Sequence, residues 1–234
     1  MEIAIMQPYF LPYIGYWQLM NSVDKFVVYD NIEFTKDSWI RRNRILLHGE
    51  DHLFTIPVKN DSDYLNINER YLGANYKRQK KKILNKIKMS YSRSPYFEDV
   101  FEMIKRCFEY DNNNLFEFVF NSIKEVKEYL EIDTQLIVSS KIKMDHSLNG
   151  EERVIETCKQ LNADIYRNPI GGLKLYKKNN FNREGIELEF LESKDTEYNQ
   201  FIDEFIPKLS IIDVLMFNSK EKVKNLLDEY NIQD

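Results

Sequence analysis

The run Arg41-Arg42-Asn43-Arg44, with Lys36 and Trp39 just before it, carries the strongest chemical signal in this chain. Guanidinium forks bind phosphates and carboxylates through paired hydrogen bonds. Strand geometry would put Arg42 and Arg44 on one face and Arg41 and Asn43 on the other. One pair could then line a pocket while the other meets water. An edge strand defended by charge carries the same pattern. Asp30 and Glu33 lie upstream, and either could take a proton or accept from sugar hydroxyls. Asp213 sits in an otherwise apolar stretch from Leu209 to Leu215. A carboxylate there needs a partner. It could be an arginine from 42–44, or Ser210 could cap a helix with Asp213 completing its capping box. Asp30, Lys36 and Asp213 are thus the candidates for catalysis. No Cys–His or Ser–His arrangement points to a covalent intermediate.

These groups need elements to hold them. Glu2-Ile3-Ala4-Ile5-Met6 has the length of a strand and stops at Gln7-Pro8, where proline cannot donate to a ladder. Tyr13 to Ser22 has helical spacing, and residues 25–30 form a second β-branched and aromatic run. Strand, turn, helix, strand within 30 residues predicts a βαβ unit and a parallel sheet. Ligands of such sheets sit outside the carboxyl ends of the strands. The Gln7–Pro12 loop leaves such an end and feeds a helix N-terminus suited to an anion. Gln7, Tyr9, Gly15 and Tyr16 therefore join Trp39, Arg42, Asn43 and Arg44 as candidates for substrate and phosphate binding. Gly15 would admit a ligand or backbone closely, and Gly15 with Tyr16 equally suits packing of helix on sheet. Ser139 and Ser140, ending a strand predicted over 134–140, would donate to the same crevice.

Ser38–Leu47 and Leu53–Val58, around the turn 48–51, predict a hairpin whose second arm is placed on an edge or cut short by Pro57. Residues 60–132 form a mainly helical insertion. It contains a basic helix over 76–91, a helix opened by Ser94-Pro95 and reaching Tyr110, and a third over 115–130. Beyond it come a helix over 151–161, a short strand at 164–166, a turn at Gly171-Gly172 and a strand at 186–190. Helices broken near Pro207 and Asn218 are expected over 198–230. The whole, 1–234, is expected to be one α/β domain: a three-layer parallel sheet of Rossmann-like type.

Composition excludes more than it selects. From the net charge of −5 over 234 residues no polyanion-binding role follows, and the distribution of charge matters more than its sum. Three scattered histidines and two cysteines, Cys107 and Cys158, give no metal spacing, so no metal is expected. Both cysteines fall in helical patterns and read as buried thiols of a reducing compartment. No window reaches the roughly 20 apolar residues of a membrane span. Met1–Ala4 shows no basic region leading to an apolar one, so a cytoplasmic protein is expected. The 15 Tyr, 15 Phe and 2 Trp suit both a core and a lined pocket. Lys77–Lys88 holds seven basic residues in twelve. A solvated helix face explains them, and a tRNA or anionic-lipid patch is the sharper alternative, without an RNA-binding motif beside it.

The string Gln7-Pro8-Tyr9-Phe10-Leu11-Pro12-Tyr13-Ile14-Gly15-Tyr16-Trp17 resembles the signature of the WbqC-like family. So do Asp24, Phe26, Val27, Asp30, Lys36, Ser38-Trp39 and Arg42-Asn43-Arg44-Ile45 after it. Further matches are Ser94-Pro95-Tyr96-Phe97, Ser139-Ser140, Tyr166, Tyr176, Tyr198 with Gln200, and Pro207 to Asp213 with Asn218. Arg41 stands where Asn is expected, and Asn168-Pro169 replaces an expected Ser-Gly. The resemblance implies a role in assembling O-antigen, capsule or related glycoconjugates. From it we expect an acyl or aminoacyl transferase acting on a nucleotide-linked aminosugar, with a phosphorylated small molecule as ligand. A non-catalytic partner of glycan enzymes and an aminoacyl-tRNA-dependent transferase using helix 77–88 are the alternatives, and a homo-oligomer is left open. The cofactor is not specified. The layout is also similar to nucleotidyltransferases of the HxGH type, but Ile14-Gly15-Tyr16-Trp17 occupies the slot of their histidines.

Overall fold

A computed structural model describes residues 1–194 and 196–233. The first unit is as expected: β1 (Glu2–Met6), α1 (Ile14–Asn21) and β2 (Lys25–Val28), with β1 and β2 parallel and Ile5 opposite Val27. A hairpin follows, β3 (Arg42–Leu47) and β4 (Glu50–Thr55), which forms its own two-stranded sheet. Its turn is only His48-Gly49, with φ of 56° and 83°, the paired left-handed geometry of a type I′ turn. Trp39–Arg41 is a 3-10 turn, so the first arm starts later than expected. The second arm ends before Pro57.

Three helices come next: α2 (Tyr76–Tyr91), α3 (Phe97–Glu109) and α4 (Leu115–Tyr129). Ser94 does not cap α3. Its hydroxyl turns back and donates to the Tyr91 carbonyl at 2.7 Å, at the end of α2. Asn114 does cap α4, accepting from the Glu117 N–H at 3.1 Å. The sheet resumes with β5 (Gln135–Val138), then α5 (Gly150–Gln160), β6 (Ile165–Pro169), α6 (Lys178–Arg183) and β7 (Glu187–Ser193). The helices expected over 198–230 shrink to α7 (Ile211–Phe217) and α8 (Lys220–Leu226). The chain then adds an unexpected strand, β8 (Tyr230–Gln233), antiparallel to β7.

The six-stranded sheet runs β5-β2-β1-β6-β7-β8, parallel except for β8. Ranked by chain order these strands read 3-2-1-4-5-6, the Rossmann-like order. β5 is an edge and only half-buried, where a buried strand was expected. Period-two alternation splits the strands between two cores. Ala4, Phe26 and Val28 face a larger apolar cluster with α1, the hairpin, α2–α4, α7 and α8. Ile3, Ile5 and Val27 face a smaller one with Val154 and Cys158 of α5 and Phe181 of α6. Helices thus cover both faces, and the segment 60–132 shares the larger core.

Candidate functional site

In the 3-2-1-4-5-6 order, the chain leaves β1 toward one side of the sheet and β6 toward the other. Such a switch point opens a crevice at the carboxyl ends. A cavity of about 840 Å³ lies there. Gln7, Pro8 and Tyr9, which follow β1, form one wall. Asn168 and Pro169 at the end of β6, with Gly171, Gly172 and Tyr176, form another. Tyr29, just past β2, and the segment Ile32 to Ile40 supply the third. Arg44 and Lys208 bring positive charge, and Glu33 brings a carboxylate.

The Gln7–Pro12 wall is held in a conformation it would not keep alone. Leu11 has φ of +49° and is fully buried. A branched residue in the left-handed region costs about 1–2 kcal/mol and persists only where its surroundings over-determine it. Asn43 Nδ2 donates to the carbonyls of Phe10 at 3.0 Å and Leu11 at 2.5 Å. Ser210 Oγ donates to the Leu11 carbonyl at 2.7 Å. The Pro12 carbonyl accepts from Trp17 Nε1 at 3.1 Å and from the Ile211 N–H at 2.9 Å. Tyr9 turns its hydroxyl to the Tyr13 N–H at 3.0 Å. Asn43 is therefore a positioning residue, committed to the loop.

Arg44 reaches the cavity from β3. Its Nη1 lies 2.8 Å from Asp51, and its Nη2 donates to the Lys208 carbonyl at 3.3 Å. Its guanidinium carbon sits 5.7 Å from the Trp39 ring centre, and that of Arg42 sits 5.6 Å from it. Arg42 shares the face, as expected, but does not line the cavity. It approaches Asp37 at 3.8 Å instead. Lys208 has φ of +58° and is exposed, and Lys208 and Glu33 make no ion pair among the described residues. Tyr29 is oriented from behind by Arg153, whose guanidinium carbon lies 4.9 Å from the ring centre. Arg153 is fixed in turn by Asn31, its Nη2 donating to Asn31 Oδ1 at 2.6 Å. Burial pushes the Tyr29 phenol up to about 12, with Arg153 pulling the other way. On the opposite wall a Cβ on Gly172 would collide with the Asn168 amide, so that glycine makes room for the side chain.

Several expected site residues lie elsewhere. Asp30 is buried and does not line the cavity. Its carboxylate accepts from the Ser140 N–H at 2.8 Å, Ser140 Oγ at 2.6 Å and Asn68 Nδ2 at 2.8 Å. It latches the ends of β2 and β5 to the turn at 67–69. Ser140 is spent on that latch, and Ser139 is fully buried. Lys36 faces a second, smaller pocket. Asp213 does not meet an arginine, because Tyr91 Oη, Tyr198 Oη and Gln200 Nε2 each donate to it at 2.7 Å. Ser210 caps α7 by accepting from the Ile212 N–H, and Asp213 plays no part in that cap. Burial raises the Asp213 carboxyl above its usual range, and the three donors pull it back only in part. The space over Gly15 is filled by the Tyr13 ring, and Tyr16 is a core residue edge-on to Tyr9, Trp17 and Phe26. The cavity thus gathers Gln7, Tyr9, Trp39, Asn43 and Arg44. It adds Glu33, Tyr29, Asn168, Tyr176 and Lys208.

Among the described residues, no group of three or more His, Cys, Asp or Glu side chains converges as metal ligands do, and no helix is long and apolar enough to cross a membrane. The model of the WbqC-like protein family matches residues 7–225, and the chain belongs to that family. It is 26% identical over 223 residues to the uncharacterized protein Rv1507c of Mycobacterium tuberculosis, covering 93% of each chain. No solved structure matches it.

Proposed function

We propose that this member of the WbqC-like family binds a nucleotide-linked aminosugar in the switch-point cavity and transfers an acyl or aminoacyl group to the sugar amine during surface-polysaccharide assembly. The observation that carries this reading is the cavity's chemistry: aromatic walls, two cations and one carboxylate in a single space of about 840 Å³. That volume suits a ligand the size of a nucleotide sugar. Tyr9, Tyr29, Trp39 and Tyr176 offer faces and edges to a base and a sugar ring. Arg44 and Lys208 suit the diphosphate, Arg44 as a fork and Lys208 as a point charge.

Glu33 takes the role first considered for Asp30, because its carboxylate is exposed on the cavity wall while Asp30 is enclosed by donors. In the reaction the amine nitrogen attacks the acyl carbon. An N–C bond forms, the bond from that carbon to the leaving group breaks, and the leaving group departs with the electron pair. The amine proton passes to Glu33. A thermal-shift screen over nucleotides, nucleotide sugars and acyl-CoA donors tests the reading, followed by mass spectrometry of the product. Nucleotide sugars should raise the melting temperature most, and Glu33→Gln should keep that binding while losing turnover. Equal turnover in Glu33→Gln, or no shift with any nucleotide sugar, refutes it.

A further inference from the structure

The segment 33–41 serves two cavities. Glu33, Ser38, Trp39 and Ile40 face the large one, and Phe34, Lys36 and Arg41 face a second of about 260 Å³. At the floor of the second lies Arg70, only 4% exposed. Its backbone is clamped on both sides. The Arg70 N–H donates to the Ile67 carbonyl at 3.2 Å, and its carbonyl accepts from the Leu115 N–H at 2.8 Å. Its guanidinium carbon lies 4.8 Å from the Phe34 ring centre. The guanidinium donates no hydrogen bond and makes no ion pair among the described residues, and its Nε is fully buried.

A guanidinium carries five donors in a fixed fork. Burying that charge is costly unless an acceptor of opposite charge meets it. The surrounding walls supply none within ion-pair distance, although Asp61 lies near enough to feel the Arg70 charge. Lys36, Arg41 and Lys59 add three cations to Arg70, against Asp61 and Asp63. Arg41 is already oriented by the carbonyls of Lys36 at 3.4 Å and Ile56 at 3.3 Å. Asp61 is paired with Lys59 at 3.1 Å. The pocket is therefore a net-positive cup with an aromatic side and a buried fork at its base. Its volume lies below the usual range for a drug-sized ligand, so its occupant is small.

We propose that this pocket is an anion site for a phosphate-class oxyanion, bound by the Arg70 fork with Lys36 and Lys59 at the rim. The oxyanion is either free phosphate or the phosphoryl end of a small monoester. This inference is independent of the reading of the large cavity. The rival account is that Asp61 or Asp63 swings onto Arg70 in solution and closes the cup.

Calorimetry on the full chain separates the two. Inorganic phosphate and glycerol phosphate are titrated at matched ionic strength against wild type, Arg70→Met, Arg70→Lys, Lys36→Ala and Arg44→Met, with melting temperatures measured in chloride. Phosphate should bind Arg70→Met at least about tenfold more weakly than wild type, and any part of the binding lost in Arg44→Met belongs to the large cavity. Arg70→Lys and Lys36→Ala should fall between. In chloride, Arg70→Met should melt at or above the wild-type temperature, since it removes an unpaired buried charge. The preferred anion, free or esterified, then identifies the source. The proposal is overturned if neither anion binds wild type, if Arg44→Met loses the binding and Arg70→Met keeps it, or if Arg70→Met only lowers the melting temperature. Should Arg70→Met fail to fold, undiminished phosphate binding in both Arg70→Lys and Lys36→Ala overturns it equally.

Discussion

Removing the Arg44 guanidinium separates binding from folding with numbers the structure supplies. The side chain is 31% exposed and makes one ion pair, to an Asp51 that is 46% exposed. A pair in that setting contributes about 0.2–1 kcal/mol. The contact to the Trp39 ring adds about 0.5–1 kcal/mol at such a site, and the hydrogen bond to the Lys208 carbonyl is long at 3.3 Å. Arg44→Ala should therefore cost about 1–2 kcal/mol, or about 2–8 °C in melting temperature for a domain of this size. A charge-assisted fork on a phosphate is worth about 1.5–3 kcal/mol, or about one to two decades of affinity. Arg44→Lys keeps the charge but loses the fork, so it should recover part of the binding. Arg42→Ala removes a neighbour that does not line the cavity and should change affinity much less. The assay is calorimetric affinity for the nucleotide sugar with the largest thermal shift, beside the melting temperature of each variant. Unchanged affinity in Arg44→Ala, with melting alone lowered, would refute the reasoning.

Three further outcomes rest on buried groups. Asp213→Ala leaves Tyr91, Tyr198 and Gln200 without their common acceptor and should cost about 3–5 kcal/mol by denaturant titration at neutral pH. Because burial raises the Asp213 carboxyl above its ordinary 3.8, the folded state holds the proton more tightly than the unfolded one. The proton-linked part of its contribution is thus full below 3.8 and is lost as pH rises through the folded value, leaving at neutral pH the three hydrogen bonds the carboxylate accepts. The stability gap between wild type and Asp213→Asn should narrow as pH climbs from 3.8, and a widening gap contradicts the assignment. Cys107 and Cys158 are both free and buried, and burial pushes the Cys158 thiol up to about 12 and the Cys107 thiol still higher. Since the thiolate is the reactive form, a thiol reagent should label both slowly in the native state and rapidly in denaturant. Fast native labelling of either would contradict the packing.

β1 and β2 were legible as short, mostly apolar runs flanking a contiguous α1, and β7 by its alternation of polar and apolar residues. β8 was not legible. Tyr230-Asn231-Ile232-Gln233 is polar, edge-placed and antiparallel, and its stabilisation comes from pairing with β7, forty residues upstream. The stretch expected to be helical from Tyr198 also yielded to a tertiary demand. Tyr198 and Gln200 are drawn to the Asp213 carboxylate, and a helix through 198–209 would give up both hydrogen bonds. Asp30 shows the limit of reading carboxylates by position. A strand end is where a general base was expected, but Ser140 and Asn68, far away in sequence, converge on the Asp30 oxygens. Glu33, three residues on, keeps its carboxylate exposed on the cavity wall.

Alternation paired Arg42 with Arg44 and Arg41 with Asn43, but Arg41 closes the 3-10 turn ahead of β3 and Arg42 turns to Asp37 instead of the cavity. Arg44 meets the large cavity, Arg41 the small one, and Asn43 turns inward. That inward residue shapes the site by holding the loop, and it also lines the cavity. The wall Gln7–Tyr9 depends on Leu11 staying left-handed, and Leu11 depends on Asn43 Nδ2 from the hairpin and Ser210 Oγ from the cap of α7. Those donors lie 32 and 199 residues away along the chain. No local pattern around Gln7 could announce them. The α7 cap also brings Lys208 to the cavity rim beside Arg44, because the Ser210 N–H is bonded to the Arg44 carbonyl at 2.9 Å. The loop, the base of the fork and the chain beside the point charge are thus tied together by the Asn43 and Ser210 side chains and by one backbone bond.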